Sequence, residues 1–151
     1  MDSFVENTYQ RIISIFLYTL PLKASLPFGY IIFNQYPYLK FIYFLVIPFS
    51  LLENALPFGS ILMFFLIFIG LVRNPKVSYF IRYNACQAIL LNIALIILGY
   101  FIQLIKLPEL ASLGFILSFC TFIFASVKCL FGFEPDIPLI SRSARIQILW
   151  I

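Results

Sequence analysis

The 151-residue chain contains no histidine, which excludes imidazole catalysis, histidine-ligated metals and histidine-ligated haem. Acids are scarce too. Of six Asp and Glu residues, Glu53, Glu109, Glu134 and Asp136 fall at loops or in the tail with no paired acid beside them, so a general acid–base site is not expected. There is no glycine-rich phosphate loop and no ligand cluster for a metal. An enzyme is the least supported class, and no cofactor is expected. Cys86, Cys120 and Cys129 form no CxxC pair and leave one over under any intramolecular pairing. They read as reduced packing residues, which mildly favours reducing surroundings.

Charge is also thin, at 11% of residues against 63% hydrophobic and a mean hydropathy of +1.04. That leaves too little polar surface to cover a soluble globule, so the chain reads as an integral membrane protein. At about 20 residues per span, the length allows four or five crossings and no separate soluble domain. The fold expected is all-α: one polytopic helical bundle over residues 1–151. The net charge of +4 does not point to nucleic acid, because the cations are scattered and mostly flank apolar runs, where they set membrane orientation. Residues 1–10 lack both a transit-peptide and a cleavable-signal pattern. The chain is expected to start, in effect, at its first membrane segment.

The rest is organised around residues 73–93, the one polar, basic window in an apolar protein. Arg73, Lys76 and Arg82 lie there with no acid among them, between two long hydrophobic runs. This is the pattern of a loop between membrane spans. In the span that follows, Tyr83, Asn84 and Gln87 lie within roughly a 100° arc of one helix face, and Asn92 adds a further amide.

Five hydrophobic segments are legible. The first, residues 9–35, is interrupted by Pro21, Lys23 and Pro27. Proline removes a backbone donor and clashes with the preceding turn, and a lysine near mid-membrane costs roughly 2.5 to 3.5 kcal/mol. Two short helices are expected there, interfacial or only partly inserted. Residues 38–56, with Pro48 as a kink, and 57–72 are short spans that suit a tight hairpin. Residues 79–105 and 110–130 are longer spans, and 131–151 form a polar or interfacial tail with Arg142 and Arg145 outside the membrane. If the first segment does not cross, four spans gather nine of the ten cations on one side, leaving Lys106 opposite, in accord with the positive-inside rule.

Leu-Pro-Phe-Gly occurs twice, at 26–29 and 56–59. Proline suits a first helical turn, so each copy is expected to restart a helix, with internal duplication as the sharper reading. Two readings stand for the polar face. Tyr83, Asn84, Gln87 and Asn92 either line a hydrated path for a passing chain or form interhelical polar contacts. Arg73, Lys76 and Arg82 read as orientation and headgroup contacts. Gly114 and Ser118, one turn apart, offer a close-packing site for a neighbouring helix. The rows of phenylalanine are most simply lipid-facing.

The residues Val72-Arg73-Asn74, Phe80-Ile81-Arg82-Tyr83-Asn84 and Gln87-Ala88-Ile89-Leu90-Leu91-Asn92-Ile93 resemble a family motif. It is that of the small multi-spanning, nominally twenty-kilodalton subunit of the translocon at the chloroplast inner envelope (TIC). The family reads VVRN, then F-(V/I)-R-F-N-x-(M/C)-Q-A-(I/V)-L-L-D-I. Upstream, Leu20-Pro21-Leu22, Phe28-Gly29 and Tyr36-Pro37 are similar to its LLPL…(Y/F)G…FP run. Tyr83 stands for the usual Phe, Asn92 for the usual Asp, and Lys23 near the family's Asp in the first segment. The resemblance implies a four-spanning protein of the plastid inner envelope, or of a cyanobacterial membrane, that helps precursor proteins cross toward the stroma. It implies other TIC subunits, precursors and membrane lipids as partners. Because four spans of one chain make a poor wide pore, either homo-oligomerisation or walls shared with other TIC subunits is expected. Together with the absent transit pattern it implies a plastid-encoded algal or a cyanobacterial source. Beside this stand a secondary transporter or ion channel for a small solute, and a membrane assembly scaffold. Composition and periodicity support all three.

Overall fold

A computed structural model describes residues 7–149, and the expectations for the extreme termini lie outside these described residues. The elements are α1 (Thr8–Leu17), α2 (Thr19–Ser25), α3 (Tyr30–Gln35), α4 (Ile42–Ala55), α5 (Gly59–Ile67), α6 (Tyr79–Ile105), α7 (Pro108–Leu130) and α8 (Ile140–Leu149). Short 3-10 turns, Leu26–Gly29 and Pro37–Phe41, lead into α3 and α4, and a π turn, Phe68–Val72, continues α5. No strand occurs among the described residues.

Four helical stretches are long and apolar enough to cross a membrane: Thr8–Gln35, Pro37–Ala55, Tyr79–Ile105 and Pro108–Leu130. The N-terminal stretch thus differs from the interfacial pair expected of it. Its apolar window is 56% buried, against 17% for each of the other three, so it is the inner helix of the bundle. The prolines disturb it without ending it. Pro21 cannot bond back to the preceding turn, and the break falls at Tyr18, one turn earlier. The Thr19 hydroxyl donates to the Phe16 carbonyl (2.6 Å) and the Ser25 hydroxyl to the Leu22 carbonyl (2.7 Å). These bonds satisfy backbone acceptors that bulk water cannot reach. Gly59–Val72, by contrast, is too short to cross by itself.

Contacts fix which ends lie together. Arg11 Nη1 donates to the Leu130 carbonyl (3.2 Å), placing the start of α1 beside the end of α7. Arg82 Nε donates to the Val72 carbonyl (3.0 Å), and α8 packs on α6. At the opposite end Phe33 meets the rings of Tyr43 and Phe115, and the α6–α7 turn carries Lys106 and Glu109. The first end is basic, with Arg11, Arg73, Lys76, Arg82, Lys128, Arg142 and Arg145. Lys40 falls at the other end, not with Arg73 as expected, because the N-terminal stretch runs the length of the bundle before α4 begins.

Both Leu-Pro-Phe-Gly copies sit where one helix ends and the next starts. At the second, Phe58 adopts a left-handed conformation (φ 55°). A Cβ on Gly59 would lie 1.8 Å from the Glu53 carbonyl oxygen, so only glycine fits this turn.

The tail also departs from its expected exposure. Gly132, Glu134, Pro135 and Ile137 are buried, and α8 turns Ala144 and Ile148 against the bundle. Arg142 is exposed. The cause is a set of polar donors on α6 that the tail backbone satisfies.

Candidate functional site

Two polar centres lie within the apolar bundle. The first joins α1, α2, α6, α7 and the tail. Asn84 and Gln87 are fully buried. The Tyr18 hydroxyl, also buried, is shared between Asn84 Oδ1 (2.9 Å) and Gln87 Oε1 (3.0 Å). Asn84 Nδ2 donates to Ser14 Oγ (3.3 Å) and to the Phe80 carbonyl (2.8 Å), while Cys129 Sγ lies 3.5 Å from Asn84 Oδ1. Gln87 Nε2 and the Tyr83 hydroxyl both donate to the Pro135 carbonyl, at 3.0 and 3.1 Å. An amide buried in an apolar bundle is costly unless bonded, and these groups satisfy one another.

Arg145 closes this centre from the basic end. Its Nη2 is 2.7 Å from Asp136 Oδ1 and 3.5 Å from Glu134 Oε2, and its guanidinium lies 5.3 Å from the centre of the Tyr83 ring. Burial pulls its pKa down, but Tyr83, Asp136 and Glu134 outweigh burial and raise it above the usual arginine value.

The second centre is a cavity of about 350 Å³ between α2, α4, α5 and α6. Lys23 and Glu53 form an ion pair on its wall, with side chains 26% and 12% exposed. Ser60 Oγ donates to Glu53 Oε2 (3.4 Å). Asn92 lines the same cavity and is the middle residue of α6. Its amide has no protein hydrogen-bond partner among the described residues, unlike Asn84 and Gln87. The α4–α5 break therefore meets α6 halfway along, and α5 with its π turn climbs from there to the basic end. A charge pair, a broken helix and a free amide thus converge beside the middle of α6.

The structure thus divides Tyr83, Asn84, Gln87 and Asn92 of α6. Tyr83, Asn84 and Gln87 are enclosed in interhelical and tail contacts, and Asn92 stands apart on the open cavity. Arg73 and Lys76 project from the turn at the basic end, whose backbone is shaped by Asn74 Oδ1 accepting from the Lys76 amide (3.0 Å). Arg82 is used internally, bracing that turn. A Cβ on Gly114 would lie 3.0 Å from Leu98 Cδ2 and 3.7 Å from Phe28, so α6 and the first Leu-Pro-Phe-Gly turn approach α7 closely there. Ser118 lies beside Gly114 on an apolar groove with Tyr18 and Leu95.

Tyr18, Ser14, Glu53 and the Pro135 carbonyl were not singled out from sequence. For Glu53 a signal existed. Lys23 and Glu53 each precede a Leu-Pro-Phe-Gly copy by three residues.

The family model described as "Chloroplast import apparatus Tic20-like" matches residues 6–144. The chain is 31% identical over 150 residues to protein TIC 20-II, chloroplastic, of Arabidopsis thaliana, covering 92% of this chain and 72% of that one. It is 31% identical over 147 residues to a Tic20 family protein of Synechocystis, covering 91% and 92%. To the Tic20 family protein Ycf60 of Cyanidium caldarium it is 29% identical over 153 residues, covering 91% and 72%. With the motif at Val72–Ile93, the buried amides of α6 and these matches along nearly its whole length, the chain belongs to the Tic20-like family of the chloroplast import apparatus.

Proposed function

We propose that this chain, a multi-pass subunit of the plastid inner-envelope import translocon or of its cyanobacterial counterpart, forms part of the wall along which precursor proteins cross toward the stroma. The observation that carries the reading is Asn92: an unbonded amide at mid-helix, facing a cavity with Lys23, Glu53 and Ser60. An amide both donates and accepts, so it suits the peptide groups of a passing chain, which must be solvated wherever they leave water.

In this reading α4 and α5 together make one pass, broken at mid-membrane. With the N-terminal stretch, α6 and α7 that gives four passes, with the basic end on the stroma by the positive-inside rule. The outward phenylalanine, leucine and isoleucine side chains meet lipid. A cavity of about 350 Å³ holds a side chain or two rather than a chain in transit, so other translocon subunits or a further copy complete the wall. The chain does no covalent chemistry, and the driving energy comes from partners.

The test is a photocrosslinker placed at Asn92, with the outward-facing Ile97 as control, in envelope membranes holding a precursor arrested in transit. Precursor adducts from Asn92 and not from Ile97 support the path. Lipid and subunit adducts alone, with arrest verified, would remove it.

One observation favours a second reading: broken helices around an intramembrane charge pair also occur in transporters of small solutes. Solute uptake by the purified chain in liposomes, lost in Asn92→Leu, would favour that reading instead.

A further inference from the structure

Residues 133–137, Phe-Glu-Pro-Asp-Ile, form an irregular strap between α7 and α8. Left-handed residues bound it: Gly132 (φ 80°) and Leu139 (φ 68°). The second is strained for a residue with a branched side chain beyond Cβ. Glu134, Pro135 and Ile137 of the strap are buried and Asp136 is exposed, so from Pro135 to Ile137 the side chains lie in, out and in, as in an extended peptide laid on a surface. Hydrogen bonds from α6 converge on Pro135 and Asp136. Tyr83 and Gln87 donate to the Pro135 carbonyl, and the Tyr83 hydroxyl lies 3.4 Å from Asp136 Oδ1.

A backbone carbonyl is a group that every polypeptide carries. We infer that the notch made by Tyr83 and Gln87 is a binding site for the backbone carbonyl of an extended polypeptide, with the strap as its resident occupant, displaced when a precursor segment enters. The inference rests on the reading that precursors pass along this chain, and adds a second contact nearer the stromal end. The notch selects an extended segment with apolar side chains at alternate positions, as Pro135 and Ile137 are now. Arg145 holds the strap shut through Asp136 and Glu134. Cys129, fully buried, 3.5 Å from Asn84 Oδ1 and bonded through its carbonyl to the Gly132 amide at the start of the strap (3.0 Å), reports whether the notch is open.

The experiment uses the full chain in proteoliposomes, with Cys86→Ala and Cys120→Ala leaving Cys129 as the sole thiol, and a membrane-impermeant maleimide as probe. Arg145→Ala raises the Cys129 labelling rate about tenfold, the size expected for losing a charge-assisted bond that opposes local opening, and Arg145→Lys does not. Asp136→Asn cuts the same ion pair at an exposed residue and gives the same increase should Arg145→Ala fail to accumulate. Labelling unchanged in both variants overturns the removable strap. In membranes with an arrested precursor, a photocrosslinker at Gln87 yields precursor adducts. Adducts from Asn92 but none from Gln87 overturn the peptide site and leave the translocon path standing. Adducts from neither position overturn both.

Discussion

Lys23 and Glu53 occupy equivalent positions, three residues before the two copies of Leu-Pro-Phe-Gly, and they pair with each other across the α2–α4 contact. The two copies are complementary: the residue before one contributes the cation and the residue before the other the anion, and the turn after Glu53 brings Ser60 onto the same carboxylate. A lysine within an apolar helix is tolerable because its partner arrives from the next element.

Removing one partner leaves the other charge in a poorly solvated site. Glu53→Gln is expected to cost about 2 kcal/mol, below the ~3–5 kcal/mol of a fully buried pair because Lys23 keeps access to the cavity. The exchanged pair Lys23→Glu with Glu53→Lys recovers most of that loss. Thermal unfolding of the detergent-solubilised chain measures both. A swap as unstable as the single variant would show that the pair's geometry, rather than its charge, is what α2 and α4 require.

Glycines separate by what surrounds them. Gly59→Ala forces a Cβ against the Glu53 backbone carbonyl, which must move and carry its carboxylate away from Lys23. The expected cost is at least about 2 kcal/mol. Gly70, in the π turn, has nothing within 4 Å of an added Cβ, so Gly70→Ala is neutral or stabilising by up to about 1 kcal/mol through helix propensity. Unfolding midpoints that fail to separate the two variants would contradict the turn geometry at 56–59.

Much of the bundle is legible in sequence, for identifiable reasons. α6 begins and ends where its apolar run does: Ser78 caps it, accepting from the Ile81 amide (3.5 Å), and Lys106 ends it in a left-handed conformation (φ 59°). Pro108 starts α7 as a first-turn proline should. The N-terminal stretch was not legible, because proline and lysine rules describe an isolated helix. The Thr19 and Ser25 hydroxyls and the Glu53 carboxylate that offset those penalties come from side chains whose roles only tertiary contact defines. The polar face of α6 was visible as periodicity. That Tyr83 and Gln87 end on the Pro135 carbonyl was not, since a backbone acceptor leaves no trace in residue identity.

Tyr18 tests the enclosed centre. Its hydroxyl is the shared donor to Asn84 Oδ1 and Gln87 Oε1. Tyr18→Phe keeps the ring, strands Gln87 Oε1 and leaves Asn84 Oδ1 only the weak Cys129 thiol, at a cost of about 1–3 kcal/mol. Asn84→Leu and Gln87→Leu each cost less in the Tyr18→Phe background than in the parent, because their bonds to the Tyr18 hydroxyl are already gone. Unfolding free energies around this cycle decide whether the centre acts as one network.

Asn92→Leu separates stability from transport. At Asn84 and Gln87 a leucine breaks bonds that hold elements together, so lower import through those variants would be ambiguous. At Asn92 no protein hydrogen bond is lost among the described residues, and a leucine on a half-exposed wall of α6 removes only a polar group that lacks a partner within the chain. Folding stability is therefore expected to be unchanged or raised by up to about 1 kcal/mol. If the amide solvates passing peptide groups, precursor crossing falls several-fold at normal protein level, and Asn92→Gln, which restores an amide one methylene further out, recovers part of it. Import rates in membranes carrying each variant, read beside unfolding midpoints, make the comparison. Equal import by parent, leucine and glutamine forms would take Asn92 off the path, and with it the central support for this cavity as a wall of the translocation route.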